Sequence, residues 1–244
     1  MRNIKLTMEY DGTNYAGWQR QPSAITIQGV IERAIEEITG EEIEIIGSSR
    51  TDAGVHAKGY VANFHTNSKI SIEKFTGAIN SKLPLDIVIL HSSDVPYEFH
   101  SRYNSTGKRY SYAILNRREA VAVGRNYLYH HKWTLDTESM KEAAGYFIGT
   151  HDFSAFKNLG SSAKTSVRTI SELQITKDED LIKIYIAADG FLYNMVRIIV
   201  GSLIRVGEGK IKPNEIKDII ESKQRSKAGK SVPPGGLCLE EVFY

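Results

Sequence analysis

Residues 26–64, TIQGVIERAIEEITGEEIEIIGSSRTDAGVHAKGYVANF, decide the architecture, because the spacing of apolar residues changes within them. Ile27, Val30, Ile31, Ala34, Ile35 and Ile38 recur at helical spacing, with Thr26 placed to cap the helix and Gly40 to end it. Residues 43–46 then read as a strand, a polar loop follows, and a second strand lies around 60–64. Upstream, Ile4, Leu6, Met8 and Tyr10 alternate with polar residues, the period of a half-buried strand. Downstream, Ser71 can cap a second helix closed by Pro84, and residues 87–90 read as a buried strand. The first half is therefore strand, helix, strand, strand, helix, strand.

The second half has a similar inventory. Residues 109–115 alternate as a strand, and Asp136 starts a helix running to about Phe147. Strands are expected near 169–176 and 181–187, and a long apolar helix over 193–206. Pro213 suits the first turn of another helix. The turn Pro233-Pro234-Gly235-Gly236 introduces a last strand, 237–244. Strands and helices interleave without strict alternation, which favours α+β with largely antiparallel, mixed sheets flanked by helices. The expected division is 1–105 and 106–244, two halves alike in layout but without a sequence repeat.

The chain of 244 residues is 41% hydrophobic and 25% charged, an ordinary globular mix that excludes disordered and fibrous classes. No apolar run approaches the roughly 20 residues that span a bilayer. The N-terminus enters an alternating pattern rather than an apolar signal core, so no secretory targeting is expected. One cysteine, Cys238, suits a reducing, cytoplasmic compartment. Net charge is only +2, but its distribution is uneven. Arg102, Lys108, Arg109, Arg117, Arg118 and Arg125 form one basic stretch, and Lys223, Arg225, Lys227 and Lys230 another. Such asymmetry permits a basic face for a polyanion, and equally permits solvated loops of mixed charge.

Chemistry concentrates in the loop 47–57, GSSRTDAGVHA. Asp52 is its only carboxylate, with Arg50 two residues before and Gly54 two after. A guanidinium close by favours the ionised form that a carboxylate nucleophile needs, and Gly54 lets the backbone turn tightly. By residue type alone the same stretch is also an ordinary Asp-Gly turn, the commoner explanation of such a loop. Arg197 interrupts an apolar helix, where a buried guanidinium would require a carboxylate partner; an exposed helix face is the alternative. Tyr110 and Tyr112 share one strand face and read as core unless something else claims them. No paired cysteines, no His-x-x-x-His spacing and no Gly-rich nucleotide loop point to a metal or nucleotide cofactor.

Arg50-Thr51-Asp52-Ala53-Gly54-Val55-His56-Ala57 resembles the active-site motif of the tRNA pseudouridine synthase family that modifies positions 38 to 40 of the anticodon stem-loop. Tyr10-Asp11-Gly12-Thr13 with Gly17-Trp18-Gln19-Arg20-Gln21 resembles the family's N-terminal strand and loop. Thr106-Gly107-Lys108-Arg109-Tyr110-Ser111-Tyr112, Gly149-Thr150-His151-Asp152-Phe153-Ser154-Ala155-Phe156, Phe191-Leu192-Tyr193-Asn194-Met195-Val196-Arg197 and Pro234-Gly235-Gly236-Leu237 follow in family order. Ser101 stands where the family often has alanine.

The resemblance implies an isomerase with Asp52 as nucleophile, Arg50 and Arg197 beside it, and Tyr110 against a flipped-out base. It implies two similar halves with a cleft between them, no cofactor, tRNA as substrate, and a homodimer. Arg20, Gln21, His56, Arg102, Lys108, Arg109, Lys157, Lys164 and Arg168 flank the motif loops and are the candidate RNA contacts, with loop bracing as the alternative for His56. His151 and Asp152 look like a catalytic dyad, but neighbouring loop residues seldom point the same way. Three rivals remain: a tRNA-binding protein without catalysis, a pseudouridine synthase with another RNA target, and a carboxylate glycosidase. The last needs a second carboxylate, for which only Asp11 is a candidate.

Overall fold

The computed structural model describes residues 1–160 and 163–244. In chain order its helices and strands are β1 (Arg2–Tyr10), α1 (Ile27–Thr39), β2 (Ile46–Gly47), β3 (His56–Thr66), α2 (Ile72–Asn80), β4 (Ile87–Val95), β5 (Gly107–Leu115), β6 (Tyr129–His130), α3 (Thr137–Gly145), β7 (Gly149–Asp152), β8 (Val167–Asp178), β9 (Leu181–Ala188), α4 (Met195–Gly207), α5 (Glu215–Ser222) and β10 (Leu237–Phe243). They group into two compact units, Met1–Thr106 with Cys238–Tyr244, and Gly107–Leu237. Residues 238–244, in the second half of the sequence division, thus pack with the first unit.

In the first unit β1 is central, antiparallel to β3 and to β4, and β10 adds a short parallel pairing, Cys238 opposite His56 and Leu239 opposite Ala57. Ile4, Leu6, Met8 and Tyr10 are buried, as the alternation requires. Ile27, Ile31 and Ile35 of α1 and Phe75 and Ile79 of α2 are fully buried, each worth about 1.5–3 kcal/mol by removal from water. The Thr26 side chain accepts from Gly29 N, and Gly40 closes α1 at φ 72, where a side chain would be strained.

Two expectations change in this unit. Residues 43–45 form no strand, because Ile45 N donates to the Glu32 carboxylate (3.1 Å) instead of joining a ladder. Ile43 and Ile45 are nevertheless buried. β4 is covered on one face only, which leaves Leu90 half exposed in a segment expected to be wholly buried.

In the second unit β9 lies between β5 and β8, and β7 extends the sheet beyond β8, all antiparallel. β6 pairs with β5 in parallel. The Asp136 carboxylate caps α3 by accepting from Glu138 N and Ser139 N; the helix ends at Gly145, and Phe147 is buried beyond it. Every residue of α4 except Arg197 and Arg205 is buried. Pro213 lies just outside α5, whose cap is Asn214. The short strands β6 and β7 carry too few residues for a readable period. Both units are mixed α+β with largely antiparallel sheets, as expected.

Candidate active site

The Asp52 loop leaves β2 and enters β3, so both ends are tied to one sheet. Ser48 N donates to Val61 O (2.9 Å). The Tyr60 hydroxyl donates to the Ser49 carbonyl. Trp18 stacks on Tyr60 with ring centres 4.0 Å apart, and Tyr10 tilts against both. A Cβ at Gly47 would overlap Tyr60 Oη, so glycine is required for the loop to lie on these rings. One residue before Asp52, the Thr51 hydroxyl bonds the Tyr10 hydroxyl at 2.9 Å, and Thr51 O accepts from Trp18 N at 3.1 Å. Gly17, at φ 91, lets the two loop segments pass so close that a Cβ would stand 2.6 Å from Thr51 O.

After Asp52 the chain turns through Gly54, at φ 76, and Val55 N closes the turn on Asp52 O (3.2 Å). The turn and the reactive-loop readings are therefore compatible: the main chain makes the turn and the carboxylate rides on it. Val55 is buried and Asp52 half-buried, while Arg50 is exposed. His56 is buried in a bracing position, its Nδ1 3.1 Å from both Gly12 N and Asp11 Oδ1. One ring nitrogen cannot accept from the amide and donate to the carboxylate at once, so the tautomer decides which contact is a hydrogen bond. Asp11 Oδ1 also accepts from Thr13 N at 2.9 Å and its hydroxyl at 2.5 Å, which turns this carboxylate into its own loop. The arrangement presents a half-buried carboxylate on a stiff loop, which suits nucleophilic chemistry.

The other candidates in this unit differ in setting. Arg20 is largely exposed, its NH1 3.3 Å from Glu32 Oε2; Gln21 Nε2 donates to Ala16 O (3.0 Å). Arg102 is exposed beside Ser101, whose N donates to Asn63 Oδ1, hydroxyl to Ile46 O, and carbonyl accepts from Tyr244 Oη. Serine at this position is thus a fixed anchor for the segment carrying Arg102. Sequence reasoning missed the Tyr10, Trp18 and Tyr60 brace and the buried Gln28 and Glu32 of α1. The signal for the latter was two polar residues four apart, beside an apolar helical face.

In the second unit, Tyr110 is buried, with Phe191 edge-on at 5.2 Å, and Tyr112 is wholly buried with its hydroxyl donating to Pro233 O (2.8 Å). Arg197 is half-buried on α4; its Nε donates to Val232 O (2.7 Å) and NH1 to Asn194 Oδ1 (2.6 Å), which fixes the guanidinium plane. Arg109 is gripped by Glu172 through two bonds of 2.9 and 2.8 Å and lies over Tyr185, so its fork is engaged within the sheet. Lys108 is buried. Lys157 donates to the Ser166 hydroxyl (2.7 Å), Arg168 to Thr165 O (3.2 Å), and Lys164 is exposed.

His151 and Asp152 make no dyad. His151 Nε2 meets Ile148 O, while the Ser154 hydroxyl and Lys223 hold the Asp152 carboxyl below its usual range. Among the described residues no group of three or more His, Cys, Asp or Glu is placed to hold a metal ion. No helix among them is long and apolar enough to cross a membrane.

A family model described as tRNA pseudouridine synthase matches residues 6–104 and 143–244. The tRNA pseudouridine synthase A 2 of Clostridium perfringens (strain 13 / Type A) is 62% identical over 244 residues, 100% of each chain. The tRNA pseudouridine synthase A of Clostridium acetobutylicum is 56% identical over 100% of each chain. That of Acetivibrio thermocellus is 57% identical, again over 100% of each chain. A solved Cbf5-Nop10-Gar1 complex covers 96% of this chain and 57% of its own at 14% identity and a TM-score of 0.35, too slight a likeness to bear on the fold. With the family model reaching into both units and relatives above half identity from end to end, the chain belongs to the tRNA pseudouridine synthase family.

Proposed function

We infer that this chain isomerises uridine to pseudouridine in the anticodon stem-loop of tRNA, at positions 38 to 40. The observation that carries the reading is full-length similarity to tRNA pseudouridine synthases A together with an intact Arg50–His56 motif on a braced loop. In the reaction the uracil's nitrogen–carbon bond to ribose breaks, the base turns, and a carbon–carbon bond forms. The proton displaced from that carbon is balanced by one gained at nitrogen, so substrate and product have the same atoms and no oxidant or reductant is consumed.

In this reading Asp52 is the nucleophile, Arg50 and Arg197 orient it and balance its charge, and Tyr110 lies against the flipped-out base. The fixed guanidinium plane of Arg197 supports its part, since a bidentate partner must be aimed before it is useful. Arg20, Gln21, Arg102, Lys108, Lys157, Lys164 and Arg168 are the proposed RNA contacts, with Arg109 and His56 acting chiefly by holding their neighbours. The active form is a homodimer in the cytoplasm.

The test is incubation of purified protein with unmodified tRNA transcript, followed by carbodiimide mapping of pseudouridine. New pseudouridine in the anticodon arm, lost in both Asp52→Ala and Asp52→Asn while tRNA binding persists, is the expected result. Normal turnover in either variant removes Asp52 as nucleophile. Binding without pseudouridine favours a non-catalytic tRNA-binding protein, and pseudouridine elsewhere favours another RNA target.

A further inference from the structure

Glu32 is an acidic side chain buried on the first helix of an enzyme whose proposed substrate is a polyanion. It is only 5% exposed. Its Oε1 is saturated, accepting from Gln28 Nε2 (2.8 Å) and Ile45 N (3.1 Å). Among the described residues no hydrogen bond reaches Oε2, whose ion-pair partner is Arg20 NH1 at 3.3 Å. Gln28 completes a bracket: its Oε1 accepts from Arg20 N (3.0 Å) and Gln19 Nε2 (3.1 Å). Both the backbone and the guanidinium of Arg20 are thus fastened to one turn of α1. The Arg20 side chain is 58% exposed, so its other N–H groups face solvent.

We propose that Glu32, held by Gln28 and the Ile45 amide, is a positioning residue that aims the Arg20 guanidinium at a phosphate of the tRNA backbone; this rests on the reading of Arg20 as an RNA contact. A long, flexible side chain loses rotamer freedom when it binds, and an anchor that restricts it beforehand lowers that loss. The ion pair with Glu32 restrains the guanidinium on one side and leaves its N–H groups for phosphate oxygens. The bracket also has competitors. A cavity of about 340 Å³ beside Arg20 is lined by Glu36 and Glu42 as well as Glu32, and a guanidinium released from Glu32 has these carboxylates to turn to.

The sign of the effect separates positioning from bulk charge. Removing a negative charge near a bound polyanion ordinarily tightens binding, whereas loss of an anchor loosens it. The experiment measures KM and kcat on tRNA transcript for Arg20→Ala, Glu32→Gln, their double variant, and Glu36→Gln as an exposed charge control, with KM followed across salt concentration. Glu32→Gln retains the shape and an acceptor for Ile45 N, and a thermal melt confirms folding. Arg20→Ala should raise KM about 10-fold at unchanged kcat and lower the salt slope by about one. Glu32→Gln should raise KM about 3- to 10-fold. The double variant should match Arg20→Ala, and Glu36→Gln should leave KM unchanged or lower it. If Arg20→Ala leaves KM unchanged, Arg20 contacts no phosphate and both readings of it fail. If Arg20→Ala raises KM but Glu32→Gln lowers it or leaves it alone, the RNA contact stands and the positioning role is overturned. Effects that add in the double variant overturn it as well.

Discussion

Replacing Tyr10 by phenylalanine isolates one strut beneath the proposed nucleophile. Tyr10 is 4% exposed and Thr51 7%. Their hydroxyls are 2.9 Å apart. The substitution keeps the ring, and with it the contacts to Trp18 and Tyr60. A typical hydrogen bond contributes about 0.5–1.5 kcal/mol, and a buried hydroxyl stripped of its partner costs about 1–3 kcal/mol. A loss near 2 kcal/mol follows, which for a chain of this length lowers Tm by about 4–8 °C. Thr51→Val removes the stranded hydroxyl, so the double variant should recover about 1 kcal/mol against the sum of the singles. A looser loop should also lower kcat, by about 10-fold, with KM unchanged, because misplacing a reacting group weakens the chemical step rather than binding. Thermal melts and steady-state kinetics on tRNA transcript supply both readouts. Wild-type melting and turnover in Tyr10→Phe, or strict additivity with Thr51→Val, would refute the brace.

Further outcomes are expected elsewhere. Gly17→Ala combines a φ of 91 with a Cβ 2.6 Å from Thr51 O, and should cost at least about 2 kcal/mol in urea unfolding. Burial holds the His131 imidazole below its usual 6.5, with Glu208 opposing that shift and Lys210 and His130 adding to it. The unfolded chain therefore takes up this proton first, so the contribution is complete above pH 6.5 and is lost as pH falls below it. Urea midpoints measured from about pH 7.5 to about pH 5 should drop, and less steeply in His131→Asn. Burial, with Glu240 adding, pushes the Cys238 thiol up to about 12. A thiol reagent at about pH 8 should modify the folded protein at least about 10-fold more slowly than the urea-unfolded chain.

Features written in local spacing were legible. Thr26 and Gly40 bound α1 where capping chemistry places them, and the alternation of Ile4 to Tyr10 gives the buried face of β1. The Asp52 loop was legible through its motif, though residue types alone also described a turn, and its main chain does make one. What escaped depends on partners distant in sequence. Gln28 and Glu32 are buried, while Val30 and Ile38 on the predicted apolar face are only half so. The same Glu32 cut the expected 43–46 strand back to Ile46, the first residue of β2, by occupying the Ile45 amide. Arg109 was expected to meet RNA, yet it and Glu172 both stand opposite Ala187 in neighbouring pairings, and they clasp across that small residue. No local pattern around Arg109 announces a partner 63 positions away.

The strand that completes the first unit is synthesised only after all of the second. Until then the amino-terminal segment lacks the neighbour of His56 and Ala57, the acceptor on Phe243 for Thr106 N, and the Tyr244 hydroxyl on Ser101. Its β3 presents bare backbone next to the loop that carries Asp52, the kind of edge that invites wrong pairing. Assembly on the ribosome therefore cannot proceed strictly from front to back: the unit begun first is finished last. A fragment cut after Thr106 would be an unfinished body, and a working split of this protein would have to carry residues 238–244 along with the amino-terminal piece.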